Sequence, residues 1–136
     1  MGELFCGPGG LGLGALSASN QNILKIKPIW ANDIDSDSCL TYLHNIHNGL
    51  KKNVICKAIE NLDLENIPEL DALSFGFPCN DFSIVGKHLG TKGKYGPLYT
   101  YGVKVINIRS PLWFIAENVS GLESANSGEA FRKILY

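Results

Sequence analysis

The chain has no excess of either charge. Its 12 Lys and Arg residues against 13 Asp and Glu leave a net charge of -1, which is not the footprint of a stand-alone nucleic-acid-binding module. No apolar run reaches the roughly 20 residues of a membrane-spanning helix, and the start carries no signal-peptide pattern. The four cysteines, Cys6, Cys39, Cys56 and Cys79, never fall at Cys-x-x-Cys spacing. They read as neither a zinc site nor a disulfide framework, and a reducing cytoplasm is the simpler setting. His44 and His47 stand three apart on a predicted helix with no third ligand nearby in sequence, so they are expected on the surface and no metal is expected. There is no internal repeat and no low-complexity tract.

At 136 residues with 45% apolar composition, the chain is at most one domain with a feasible core. Short apolar runs alternate with helical patterns. Strands are predicted at Glu3 to Cys6, Pro28 to Ala31, Asn53 to Cys56, Ala72 to Phe77 and Leu112 to Ala116. Helices are predicted after the first strand over Ala15 to Ser19, and over Asp37 to Ile46 with Asp35 or Ser36 as cap. Further helices are expected from about Leu98 to Ile108 and from Gly128 to Tyr136, the last capped by Ser127 with Glu129 in its first turn. Cys39, Leu40, Leu43 and Ile46 would form the inner face of the second helix. Leu98, Tyr101, Val105 and Ile108 would do so for the third. Asn61 to Glu69 reads as a polar connector with a helical turn. Trp30, Trp113, Phe114, Cys6, Cys39 and Cys56 are expected in the core. The alternation predicts an α/β fold with an open parallel sheet and right-handed crossovers. Five strands leave such a sheet with an uncovered edge, so the chain is expected to be the front part of a larger fold.

Two stretches carry chemistry. The first is Gly7-Pro-Gly-Gly-Leu-Gly12, a GxGxxG turn between a predicted strand and helix. Glycines there let main chain approach a nucleotide closely, and a helix start offers free N–H groups. Asp33, at the end of the second strand, is placed to accept from ribose hydroxyls. A tight packing turn and a solvated acid are the plainer readings, and this pair alone does not choose between adenine-nucleoside cofactors. The second stretch is Asp71 to Ser83. Its apolar run stops at Pro78, which cannot donate to a sheet ladder, so Cys79 falls just past the carboxyl end of a central strand. That is where open α/β sheets place their ligands. Cys79 is then either a nucleophile or a small packing residue. Glu117, at the end of the fifth strand, is either a helix-capping or solvent-facing acid or a partner in that chemistry.

Three blocks occur in fixed order: Phe5-Cys-Gly-Pro-Gly-Gly10, Gly76-Phe-Pro-Cys-Asn-Asp-Phe-Ser83 and Ala116-Glu-Asn-Val-Ser-Gly-Leu122. Together they resemble the cofactor loop, the catalytic Pro-Cys loop and the Glu-Asn-Val block of the cytosine-5 DNA methyltransferases, over nearly the whole chain. The resemblance implies a Rossmann-like S-adenosylmethionine-dependent methyltransferase sheet, truncated after about five strands. Residues 1–136 would be a partial catalytic and cofactor-binding domain without the target-recognition region. It further implies a DNA (cytosine-5-)-methyltransferase in a restriction-modification setting, in the cytoplasm of a prokaryote or in a phage. Its partners would be double-stranded DNA and a second polypeptide, or a longer chain, carrying the absent part.

By the same resemblance Phe5, Gly7, Gly9 and Gly10 line the S-adenosylmethionine pocket, Asp33 holds the ribose, Ile34 packs on the adenine, and Leu98 lies near the cofactor. Cys79 is the nucleophile and Glu117 meets the N3 edge of a flipped cytosine. Pro78, Asn80, Ser83, Lys87, Asn118 and Val119 contact the substrate or shape the Pro-Cys loop. The segment from Ser83 to Pro97 holds four glycines together with Lys87, His88, Lys92 and Lys94 and no acid. It is either a solvated loop or a lid that closes over the base and touches phosphates.

Some features depart from the family pattern. Asn80 stands where the family usually has glutamine. Lys57-Ala-Ile59 stands where an acid often meets the adenine amino group, with Glu60 as a shifted substitute. The later Gln-Arg-Arg block and the closing helix are absent. The competing expectations are an inactive remnant that at most binds S-adenosylmethionine, an RNA cytosine-5 methyltransferase of the same family, and a nicotinamide-dependent dehydrogenase. The dehydrogenase would leave the Pro-Cys and Glu-Asn-Val blocks without a role.

Overall fold

In the computed structural model, residues 1–19, 25–47, 49, 53–78, 98–124, 128, 131, 132 and 134 are described. Among these residues five strands run parallel: β1 (Gly2–Leu4), β2 (Trp30–Asp33), β3 (Val54–Cys56), β4 (Ala72–Gly76) and β5 (Trp113–Glu117). Their order is β3-β2-β1-β4-β5. The helices are α1 (Gly10–Ser19), α2 (Ser36–Ile46), α3 (Tyr99–Arg109) and α4 (Gly121–Ser124), and residues 131, 132 and 134 are also helical. The order turns back on itself between β1 and β4. Ligands of open α/β sheets bind at such a switch point, outside the carboxyl ends of the strands.

Side chains alternate across the sheet, and paired residues of parallel strands share a face. On one face Glu3, Ala31 and Val54 meet α2, where a cluster forms from Cys6, Ala31, Cys39, Tyr42 and Val54. On the other, Leu4, Leu73 and Phe75 join Trp30, Ile59, Ile67, Leu70, Phe77, Leu98 and Val105. Here α3 approaches so closely that a Cβ on Gly102 would fall 2.5 Å from the Phe75 ring. The helix ends in left-handed Ser110 (φ 45), and Arg109 reaches back to donate to Ile67 O at 2.7 Å. The connector before β4 makes two 3-10 turns, Ile59–Asn61 and Leu64–Asn66.

Several expectations need correction. β1 stops at Leu4 because Phe5 takes a left-handed φ of 53 and leaves the ladder. Helix α1 begins five residues before the expected Ala15, at Gly10, since the packing of Gly9 and Gly12 on α2 outweighs the poor helix propensity of glycine. On α2, Tyr42 is wholly buried and Leu40 is 59% exposed, so the inner face is Cys39, Tyr42, Leu43 and Ile46. His47 is buried against the Tyr42 ring rather than on the surface. Cys56 is exposed, unlike Cys6 and Cys39. Phe114 is 53% exposed, on the outermost strand of the described sheet. Ser127 and Glu129 lie outside the described residues.

Candidate active site

The glycine turn and the end of β2 are tied together. Gly7 N donates to Asp33 Oδ2 at 2.8 Å, and Asp35 N to Asp33 Oδ1 at 2.9 Å. Cys6 N donates to Asn32 O, and Gly9 N closes the turn on Cys6 O, both at 3.1 Å. Gly7 (φ 51) and Gly9 (φ 101) hold backbone that L side chains adopt only with strain. Buried Asn32 fastens β2 to β3 by donating to Ile55 O and Lys57 O at 2.8 Å each. Asp35 caps α2 through Ser38 N, and that bond holds its carboxyl below the usual range.

The rim of this turn is open. A Cβ on Gly7 or Gly10 would meet no atom within 4 Å, and Ile34, next to Asp33 in the chain, is 71% exposed. An open main-chain edge with a half-buried carboxylate and an exposed apolar side chain could hold a ribose and adenine. Gly9 differs from its neighbours, because its Cβ position is filled from behind by Tyr42 at 3.0 Å. Phe5 is half-buried and packs on the same core cluster as Leu98. Leu98 itself is buried in that cluster.

Below the turn sits a feature that the sequence reading missed. Glu3 is 1% exposed and accepts from the Tyr42 hydroxyl at 2.9 Å. Gly12 leaves room for both, since its Cβ would fall 2.9 Å from Tyr42 Oη and 3.0 Å from Glu3 Oε2. Two signals pointed there: a lone acid in an apolar strand just before the glycine turn, and Tyr42 at helical spacing from Cys39 and Ile46. Burial pushes the Glu3 carboxyl up to about 7, against partial offset from Tyr42 and the Gly12 amide. The unfolded chain releases this proton near its ordinary value of 4.5. Between these values the folded state keeps a proton that the unfolded state has lost. The contribution of Glu3 to stability therefore falls as pH rises from about 4.5 to about 7 and is level on either side. The total is roughly 3 kcal/mol. Glu3→Gln keeps an acceptor for Tyr42 and is expected to remove that slope from urea midpoints measured across the window. A variant that retains the slope would assign it to other groups.

At the other side of the switch point, β4 ends at Gly76, whose register partner is Glu117 of β5. Glu117 is exposed, and its Oε2 lies 2.9 Å from where a Gly76 Cβ would be. Beyond the strands, Asn118 Nδ2 donates to Phe77 O at 2.7 Å and Asn118 Oδ1 accepts from Val119 N at 3.0 Å. Phe77 is buried and Pro78 half-buried. Cys79, Asn80, Ser83 and Lys87 lie outside the described residues, as do His88, Lys92 and Lys94. The structure thus brings together Phe5, Gly7, Gly9, Gly10, Asp33 and Ile34 at one part of the carboxyl edge, and Pro78, Glu117, Asn118 and Val119 at another. Among the described residues no group of His, Cys, Asp and Glu could hold a metal ion, and no helix is long and apolar enough to cross a membrane.

An open parallel sheet of this order, with a glycine turn and an acid at its carboxyl edge, defines a doubly wound α/β protein, a class that places its ligands at the switch point. The chain belongs to the C-5 cytosine-specific DNA methylase family, whose model matches residues 1–136. It is 52% identical to the Type II methyltransferase M.BbvI of Brevibacillus brevis and 36% identical to M.NgoFVII of Neisseria gonorrhoeae, each over 98% of its own length. It spans only 38% and 33% of those relatives. In fold it resembles S. pombe Dnmt2 (TM-score 0.61, 22% identity) and a mutant of Spodoptera frugiperda DNMT2 (TM-score 0.63, 24% identity). Those matches cover 98% of this chain and 40% and 39% of the solved chains.

Proposed function

We propose that this chain is the cofactor-binding and nucleophile-bearing part of a DNA (cytosine-5-)-methyltransferase of a restriction-modification system, acting in the cytoplasm of a prokaryote or phage-infected cell. Residues 1–136 form a partial catalytic domain, and a further segment or a second polypeptide supplies target recognition. The observation that carries this reading is the junction of β4 and β5. Glu117 lies beside Gly76, three residues before Cys79, and Asn118 is bonded to the main chain two residues before it. The family model, described as C-5 cytosine-specific DNA methylase, favours DNA as the substrate, while the likeness to the two Dnmt2 structures is one of fold.

In this reading Gly7, Gly9, Gly10 and Phe5 bind the cofactor, Asp33 holds its ribose, Ile34 covers the adenine, and Leu98 supports the pocket from the core. S-adenosylmethionine, when bound, supplies a methyl group on a sulfonium, so no metal is required. The target cytosine leaves the duplex to reach Cys79. The Cys79 thiolate adds to carbon 6 and makes carbon 5 nucleophilic enough to take the methyl group. Glu117 bonds to or protonates N3 and absorbs the developing charge. Loss of the carbon-5 proton and elimination of the thiol complete the cycle. Pro78, Asn80, Ser83, Asn118 and Val119 set the shape of the base pocket, and Lys87 contacts phosphate.

Calorimetry tests the cofactor half. The chain is expected to bind S-adenosylmethionine saturably and NAD not at all. Asp33→Ala should cost about 1.5–3 kcal/mol, roughly ten- to a hundredfold in Kd. The upper end is expected because the same carboxylate also holds Gly7 N and Asp35 N. An unchanged dissociation constant would remove Asp33 from the site.

A further inference from the structure

Two thiols that the proposed methyl transfer does not use are fastened to the turn that aims Asp33. Cys39, near the start of α2, donates to Asp33 O at 3.6 Å. Cys56, the last residue of β3, donates to the next carbonyl, Ile34 O, at 3.7 Å. Cys56 is also the register partner of Asp33, so both side chains leave the sheet on the face that α2 covers. Sulfurs held by consecutive carbonyls of one turn are neighbours, and the nearby Cys56 thiol adds to the burial that raises the Cys39 thiol above its ordinary value. Their accessibility is opposite. Cys39 is buried, whereas Cys56 is exposed.

We propose that Cys39 and Cys56 are a reversible disulfide pair, with Cys56 the entry point for a peroxide-class oxidant, and that closing the bond resets the Asp33–Ile34 turn. The Cys56 thiolate attacks one peroxide oxygen. The O–O bond breaks, sulfur takes the hydroxyl as a sulfenic acid, and the departing hydroxide is protonated to water. Cys39 sulfur then attacks the sulfenic sulfur. An S–S bond forms, the S–O bond breaks, and the hydroxyl leaves as a second water with the Cys39 proton. Each sulfur is oxidised by one electron, and the peroxide is reduced to two waters. The order follows from burial, which keeps the Cys39 thiol protonated and leaves the first attack to the accessible Cys56. In a reducing compartment a thiol pair of this kind is transient and responds to oxidant. Closure removes both S–H donors, so the carbonyls of Asp33 and Ile34 lose these bonds just where the carboxylate and the exposed Ile34 are aimed. The effect on affinity rests on Asp33 holding the cofactor ribose, whereas formation of the bond does not.

The test treats the native chain with hydrogen peroxide and maps its tryptic peptides. Cleavage at Lys51 and Lys52 separates the two cysteines, so a linked pair is diagnostic. A Cys39–Cys56 link is expected in native protein, reversed by dithiothreitol, absent in Cys56→Ser, and slower to form in urea. No link, a Cys6–Cys39 link in its place, or equal rates in urea would overturn the pair. S-adenosylmethionine affinity of the linked form is expected to fall about tenfold, the size of one or two lost hydrogen bonds, and to recover on reduction. Unchanged affinity would overturn the effect on the turn. If neither form binds the cofactor while the link still forms, the cofactor reading fails and the thiol pair stands.

Discussion

Serine in place of Cys79 is expected to lower methyl transfer by roughly ten-thousandfold or more, in an assembly that contains the target-recognition part, while cofactor affinity stays within about twofold. An alcohol differs from a thiol by one atom, so the substitution fits the same space. It is far less acidic and far less nucleophilic at neutral pH, and carbon 6 of cytosine then has no partner. The proposed cofactor residues Gly7, Gly9, Gly10, Asp33 and Ile34 lie at or just after the ends of β1 and β2, whereas position 79 follows β4. A Kd by calorimetry and tritium transfer from labelled cofactor to DNA read the two halves separately. Normal transfer by the serine variant would overturn the mechanism. Loss of both binding and transfer would mean that position 79 supports the fold.

The second large effect is on stability. Gly102→Ala is expected to destabilise the chain by about 2 kcal/mol, lowering the melting temperature by roughly 5–10 °C. Alanine gains about 1 kcal/mol over glycine within an exposed helix, so the sign depends on what the new methyl meets. Three atoms of the Phe75 ring lie 2.5, 2.6 and 2.7 Å from it. The ring is 3% exposed and is packed against Phe77 and Phe114 at centroid distances of 6.4 and 6.3 Å, so it has little room to retreat. Gly14→Ala on α1 is the control. Its Cβ would meet no atom within 4 Å, and a neutral or small positive effect is expected. Thermal unfolding of both variants decides, and an unchanged Gly102→Ala would show that α3 can lift from β4 at no cost.

The order of strands and helices, and the carboxyl-edge position of both motif blocks, were legible in sequence because each rests on a local signal. Pro78 stops a run, Asp35 caps a helix, and glycines mark a turn. What was not legible depends on neighbours distant in the chain. Leu40 and Tyr42 are both apolar enough for a core, and only the position of Glu3 decides which of them turns inward. Phe114 reads as core because β strands with such composition are usually covered, yet among the described residues β5 is the last strand. His47 is a local exception: as the C-cap of α2 it turns back onto the Tyr42 ring of the same helix, a contact that the helical period does not report. Cys56 reads as packing and is open to solvent, since β3 is the other outer strand. The positions of Cys79, Asn80, Ser83 and Lys87 are outside the described residues, so their roles remain those that the family resemblance implies.

The bond from Asn118 to Phe77 O divides mutational freedom unequally between its two ends. Its acceptor is a main-chain oxygen, present whatever residue stands at 77, while its donor is a short amide that aspartate, leucine or alanine cannot supply at 118. Drift at position 77 is filtered only by how the ring packs. At 118 nearly every replacement unfastens the end of β5 from the segment leading to Cys79. In a mutational scan of an active assembly the two neighbouring positions should therefore show different tolerance profiles, one graded by side-chain volume and the other close to all-or-none.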